Sequence, residues 1–151
     1  TVVRPAVYEA LLGDYNDNVM FCAGHTFGGN PLAAAASLAS IDLLLEPPVL
    51  AEIVPQRSEQ MAAALTPLAA SPHVREIRQL GMIAGVELAA EAPTDRHGYH
   101  VCRAATEAGV WLRPLTNVVV VMPPLTVSPV EIEQIGKVLR ASIAQVLGDW
   151  D

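Results

Sequence analysis

A single lysine, Lys137, occurs in the 151 residues. Chemistry that needs a lysine amine has one position to draw on. Around it, apolar residues recur at Ile132, Ile135, Leu139, Ile143 and Val146, and on a helix Lys137 falls far from that stripe and faces water. Cysteine is almost as scarce. Cys22 and Cys102 form no C-x-x-C pair and have no companions at metal-ligand spacing, which predicts reduced, part-buried thiols and fits a cytoplasmic compartment. His73, His97 and His100 also lack ligand spacing with a carboxylate, so they read as surface or cap residues and no metal site is expected. Basic residues are outnumbered, nine against sixteen acidic ones, for a net charge of -7. Such a chain carries no electrostatic footprint for nucleic acid or an anionic membrane surface. No apolar run reaches the roughly 18 to 20 residues of a membrane-spanning helix, because Glu46, Pro47 and Pro48 cut the longest one. The first residue is Thr1 and no signal-type apolar region follows; the expectation is of a chain that starts within a longer protein.

What is present suffices for a core, since 52% of the residues are hydrophobic and 17% charged. Residues 4–13 carry apolar positions at helical spacing and stop at Gly13, which predicts a short helix. From Asn30 to Leu45, an N-cap asparagine, a first-turn proline and a run of mostly small side chains predict a helix able to pack very close to its neighbours. Glu46, Pro47 and Pro48 break the chain there, so a boundary between lobes 1–45 and 46–151 is expected. Val49, Leu50, Ile53, Met61 and Leu65 suggest another helix, kinked or split by Pro55. Residues 74–89, VREIRQLGMIAGVELA, are rich in branched side chains and interrupted by Gly81 and Gly85, reading as one or two strands with a bend or bulge. A short helix over 99–108 ends at Gly109, and the strands VWLRPL and NVVVVMPPL follow with Thr116 and Asn117 between them. Ser128, Pro129 and Glu131 then form a capping box for a last helix reaching Leu147, with Asp149 and Asp151 as solvated tail charges. The fold class expected is α/β with an α+β small lobe.

The stretch GHTFGGNPLAAAA, residues 24–36, joins a polar, glycine-rich loop directly to a helix. A helix N-terminus leaves unpaired N–H groups and a partial positive charge, so such a lead-in can accept a phosphate, and the hydroxyl of Thr26 adds a donor. An ordinary capped helix would read the same way. The pattern is neither a P-loop nor a dinucleotide fingerprint.

Three segments taken in order, GHTFGGNPLAAAASLASIDLL, VREIRQLGMIAGVEL and GVWLRPLTNVVVVMPPLTVSPVEI, resemble the threonine loop, small-domain strands and C-terminal segment of the class III, fold-type I, pyridoxal-phosphate-dependent aminotransferases. The resemblance implies that residues 1–45 are the end of a large cofactor-binding domain and 46–151 a C-terminal small domain. Thr26 would hold the phosphate of pyridoxal 5'-phosphate in a neighbouring subunit of a homodimer, assisted by the main chain of His25, and Gly24 would border the substrate. Within the class, GVWLRPL followed by VVVVMPPL is most similar to the biotin-pathway members. That similarity implies amino transfer to 8-amino-7-oxononanoate, with S-adenosylmethionine as donor. Other class III types, acting on 4-aminobutyrate, ω-amino acids or acetylornithine, share the threonine loop, and a non-catalytic anion-binding fragment is a further alternative.

Arg113 lies between Leu112 and Pro114 in an expected strand, where a buried guanidinium would need an anion. Its planar fork suits a carboxylate, and the resemblance assigns it that of the acceptor. An internal salt bridge to a glutamate such as Glu87 is the competing reading. No catalytic residue is expected within the chain, because the resemblance places the reactive lysine upstream of the segment matching residues 1–13. The chain by itself is therefore expected to be inactive.

Overall fold

The computed structural model describes residues 2–14, 17, 19, 24, 26 and 28–150. The chain divides into two compact units, Thr1–Asp42 and Leu43–Asp151. In the first, the helix expected over 4–13 shrinks to α1 (Pro5–Glu9), which has no buried residue; without burial, so short a helix gains too little to propagate towards Gly13. The helix α2 (Pro31–Leu45) forms as expected. Asn30 caps it, its Oδ1 accepting from the backbone N–H of Leu32 at 2.9 Å and of Ala33 at 3.4 Å. No residue of α2 is buried.

In the second unit a π-type turn, Val49–Ile53, leads into α3 (Val54–Leu65). Of the two expected effects of Pro55, kink or split, the split is seen: the π-type turn ends at Ile53 and Pro55 occupies the first turn of α3, where a missing N–H is not needed. Two strands, β1 (Val74–Leu80) and β2 (Ile83–Leu88), form a hairpin whose turn has Gly81 at φ 56°, a left-handed conformation that glycine adopts without penalty. The helix α4 (His97–Glu107) starts two residues before the expected 99–108 span. The strands β3 (Arg113–Leu115) and β4 (Val118–Val121) are each shorter than their sequence segments, and α5 (Pro129–Leu147) closes the unit. Its capping box is complete: the Ser128 hydroxyl accepts from the Glu131 N–H at 3.3 Å, while Glu131 Oε2 accepts from both Ser128 N and Oγ at 2.7 Å.

The four strands form an antiparallel sheet in the order β1-β2-β4-β3. Period-two alternation sends Ala84, Val86 and Leu88 of β2 and Val119 and Val121 of β4 into the core. There they meet Met61, Leu65, Val101, Leu139 and Ile143 from α3, α4 and α5. The histidines differ from one another. His97 acts as a cap residue: its N–H donates to Asn117 Oδ1 at 2.8 Å, and its Nδ1 lies 2.9 Å from the Ala89 carbonyl oxygen. His73, expected at the surface, is half-buried edge-on to Trp150 with ring centroids 6.2 Å apart, because the tail after α5 folds back over it.

Candidate functional site

The helices cover one face of the sheet and leave the other open. Directly paired residues in antiparallel strands point to the same side, so the register Arg78↔Gly85, Gly85↔Val120, Val120↔Arg113 sets one row across the open face. Arg113 stands at the β3 end of this row and is exposed. The expectation that burial obliges it to find an anion is thereby corrected, since an exposed guanidinium keeps its water. The competing salt bridge to Glu87 is not formed. Glu87 is held by Arg78 Nη1 at 2.7 Å and by Arg75 Nη1 at 3.3 Å, and Arg78 also bonds Glu76. A register shift between Val74 and Glu76 leaves Arg75 as an extra residue, and this bulge lets both arginines reach one carboxylate. The Arg78 guanidinium is the first cause holding the Glu87 carboxyl below the ordinary glutamate range. Glu87 lies on β2, with β4 between it and β3, about 10 Å away at the usual strand spacing. Among the described residues Arg113 makes no ion pair.

Arg113 lines an open cavity of about 500 Å³ at the β3–β4 end of the sheet, a size typical of small-molecule sites. Its walls are largely apolar and include Trp111, Val120, Met122, Pro123 and Pro124. The other charged wall residue, Glu131, is already engaged by Ser128. The Ser128 hydroxyl, then its N–H, hold the Glu131 carboxyl below its ordinary range. The cavity therefore offers one uncommitted charge, positive, set in an apolar surround. The sequence reading singled out Arg113 but not Trp111 or Met122. The alternation W-x-R, with Leu112 pointing inward, was the signal that could have found Trp111.

Gly24 and Thr26 belong to the first unit, and both are exposed. A Cβ added at Gly24 would meet nothing within 4 Å. His25 lies outside the described residues, as does Cys22. The first-turn donors of α2 at Leu32 and Ala33 are taken by Asn30, so the helix terminus is not free to bind an anion with them. Any phosphate contact falls instead to the loop ahead, where the Thr26 hydroxyl makes no hydrogen bond among the described residues and Gly29 sits at φ 77°. Among the described residues the Thr26 hydroxyl is unpartnered, and the sequence places no acidic side chain between Gly24 and Asn30, a composition compatible with a phosphate such as that of pyridoxal phosphate.

Lys137 lies on α5 with its side chain 79% exposed and paired to Glu133 at 3.5 Å, away from the cavity. Cys102 is buried on α4, and desolvation pushes its thiol up to about 11, which leaves it unreactive at neutral pH.

Comparison with known proteins gives a consistent set of similarities. The family model described as aminotransferase class III matches residues 1–143. The adenosylmethionine-8-amino-7-oxononanoate aminotransferase of Geobacter sulfurreducens is 40% identical over 98% of this chain, which covers 34% of that protein. Its namesake from Nitratidesulfovibrio vulgaris is 39% identical over 97% of the chain and 28% of its own length. The crystal structure of the enzyme of that name from Methanocaldococcus jannaschii superposes with a TM-score of 0.71 at 27% identity, over 93% of this chain and 34% of that one. The chain thus spans about a third of the length of these relatives. The mixed helical and antiparallel architecture is that of a fold-type I aminotransferase, present as a partial chain.

Proposed function

The chain belongs to the class III aminotransferase family, and from that premise we propose that it forms the C-terminal part of a pyridoxal-phosphate-dependent aminotransferase acting on 8-amino-7-oxononanoate, with S-adenosylmethionine as the amino donor. One observation carries the acceptor assignment: the exposed, unpaired Arg113 is the only uncommitted charge of an apolar cavity. A keto acid with an apolar chain presents the matching pair of features. The relatives at 39% and 40% identity bear the name of that activity. Residues 1–45 are read as the end of the large domain and 46–151 as the small domain.

Pyridoxal phosphate, when bound, would supply the electron sink that amino-group transfer needs. The chain's own residues position and do not transfer protons. The Thr26 hydroxyl would donate to the cofactor phosphate of a neighbouring subunit, a role the family resemblance shares with the main chain of His25, and Gly24 would border the substrate. Arg113 receives the acceptor carboxylate in a bidentate fork and fixes the distance of the ketone from the reacting centre. The exposed apolar side chains Leu32, Leu38, Ile41 and Leu43 of α2 are the kind of surface that a homodimer, or the rest of a large domain, covers. The only lysine, Lys137, is solvent-facing and ion-paired, so residues 1–151 alone are proposed to be inactive.

Arg113→Lys in the full-length polypeptide tests the assignment. The charge is kept and the fork lost, so the KM for 8-amino-7-oxononanoate rises while the donor half-reaction holds its rate. An equal loss in both half-reactions, or a preference for 4-aminobutyrate over the oxononanoate, would refute it.

A further inference from the structure

Trp111 is 90% exposed. It stands two residues before Arg113, and Leu112 between them is buried in the core, so in extended chain Trp111 and Arg113 fall on the same, outward side. Both line the ≈ 500 Å³ cavity, as does Met122, itself 65% exposed. An indole held in water costs hydration that any apolar ligand segment can relieve, and its two rotatable bonds make it a stiff wall. The lone uncommitted cation of the cavity selects an acid. The apolar surface beside it selects what is attached to the carboxylate.

We propose that Trp111 is a specificity-determining residue that sets chain-length preference, its indole packing along the methylenes of an acid whose carboxylate rests on Arg113, with Met122 also lining the cavity. This rests on the carboxylate role given to Arg113 above. Each methylene moved from water onto this wall strengthens binding by about fourfold. Carboxylates too short to pass Trp111 gain nothing from it.

The test is calorimetric titration of the full-length polypeptide carrying residues 1–151 with the straight-chain acids from butanoate to nonanoate. In the unsubstituted protein affinity rises by about threefold to fourfold per methylene. Trp111→Ala lowers that slope to below about twofold and leaves butanoate unchanged, while Trp111→Phe restores most of it. Trp111→Phe keeps an aromatic side chain at this position, so a slope lost in Trp111→Ala and kept in Trp111→Phe reports the aromatic wall and not misfolding. Arg113→Gln weakens all acids by one common factor and keeps the slope. The emission difference between the unsubstituted protein and Trp111→Phe moves to shorter wavelength with nonanoate and not with butanoate. A Trp111→Ala protein with an undiminished slope overturns the inference while leaving the Arg113 assignment intact. Acid binding that ignores Arg113→Gln overturns that assignment and the inference together.

Discussion

Gly98, on the first turn of α4, is where the helix layer touches the hairpin that carries Arg113. A Cβ placed on it would lie 2.5 Å from the Thr116 carbonyl oxygen and 3.3 Å from the Asn117 Cα. An ordinary carbon–oxygen contact is about 3.3 Å, so Gly98→Ala demands about 0.8 Å of displacement. The obstructing atoms are backbone, and the turn is pinned: Asn117 Oδ1 accepts from His97 N, Asn117 Nδ2 donates to the Ala92 carbonyl at 3.3 Å, and the Asn117 carbonyl accepts from Leu88 N at 2.9 Å. Overpacking of this kind costs about 1–3 kcal/mol. Alanine is the better helix former by up to about 1 kcal/mol, an advantage diminished in a first turn. The net expectation is a loss of about 1–2 kcal/mol, or a fall in Tm of roughly 2–8 °C. Because β3 leaves this turn directly, Arg113 shifts with it, and the acceptor KM of the full-length enzyme rises more than the donor KM. Thermal melts followed by circular dichroism, with Glu107→Ala on the same helix as a surface control, measure the first effect. A Gly98→Ala protein as stable as the unsubstituted one, with an unchanged acceptor KM, would refute the claim that this contact fixes the hairpin.

Thr26→Ala in the full-length polypeptide is expected to weaken pyridoxal phosphate retention by about 1.5–3 kcal/mol, the value of a hydrogen bond to a charged group; equilibrium dialysis detects it, and unaltered retention rules the role out. The Glu131 carboxyl is held low by Ser128, so its contribution to α5 is present above the ordinary glutamate pKa and is lost as the pH falls through its depressed value. Glu131→Gln should therefore flatten the acid limb of a stability-versus-pH curve, and an unaltered limb contradicts the linkage. Cys102, with its thiol pushed up to about 11 by burial, should resist alkylation at pH near 8 until denaturant opens the unit, with peptide mass mapping as the readout; rapid labelling of the native chain would show that α4 opens locally.

Local signals were legible in the sequence wherever a residue acts on its own neighbours. The Ser128–Glu131 capping box, the Asn30 cap and the Thr116–Asn117 turn each depend on atoms within a few residues, and each stands where the pattern puts it, while of the two glycines read as a bend or bulge it is Gly81 that makes the turn. The family resemblance likewise follows from motif order along the chain, and the match over residues 1–143 agrees with it. Tertiary placement decided the rest. Arg113 sits between two apolar residues and reads as buried, yet the strand order puts β3 at the edge and its outward row on the open face. Glu87, the competing partner, is taken by Arg75 and Arg78 through a bulge that no spacing announces. That Pro55 splits the segment rather than kinking it is decided by Val49–Ile53 winding as a separate turn. Gly98 has no special φ; its requirement comes from a carbonyl oxygen eighteen residues further on. Which residues share one cavity wall depends on strand order and register, which long-range packing chooses and local propensity does not.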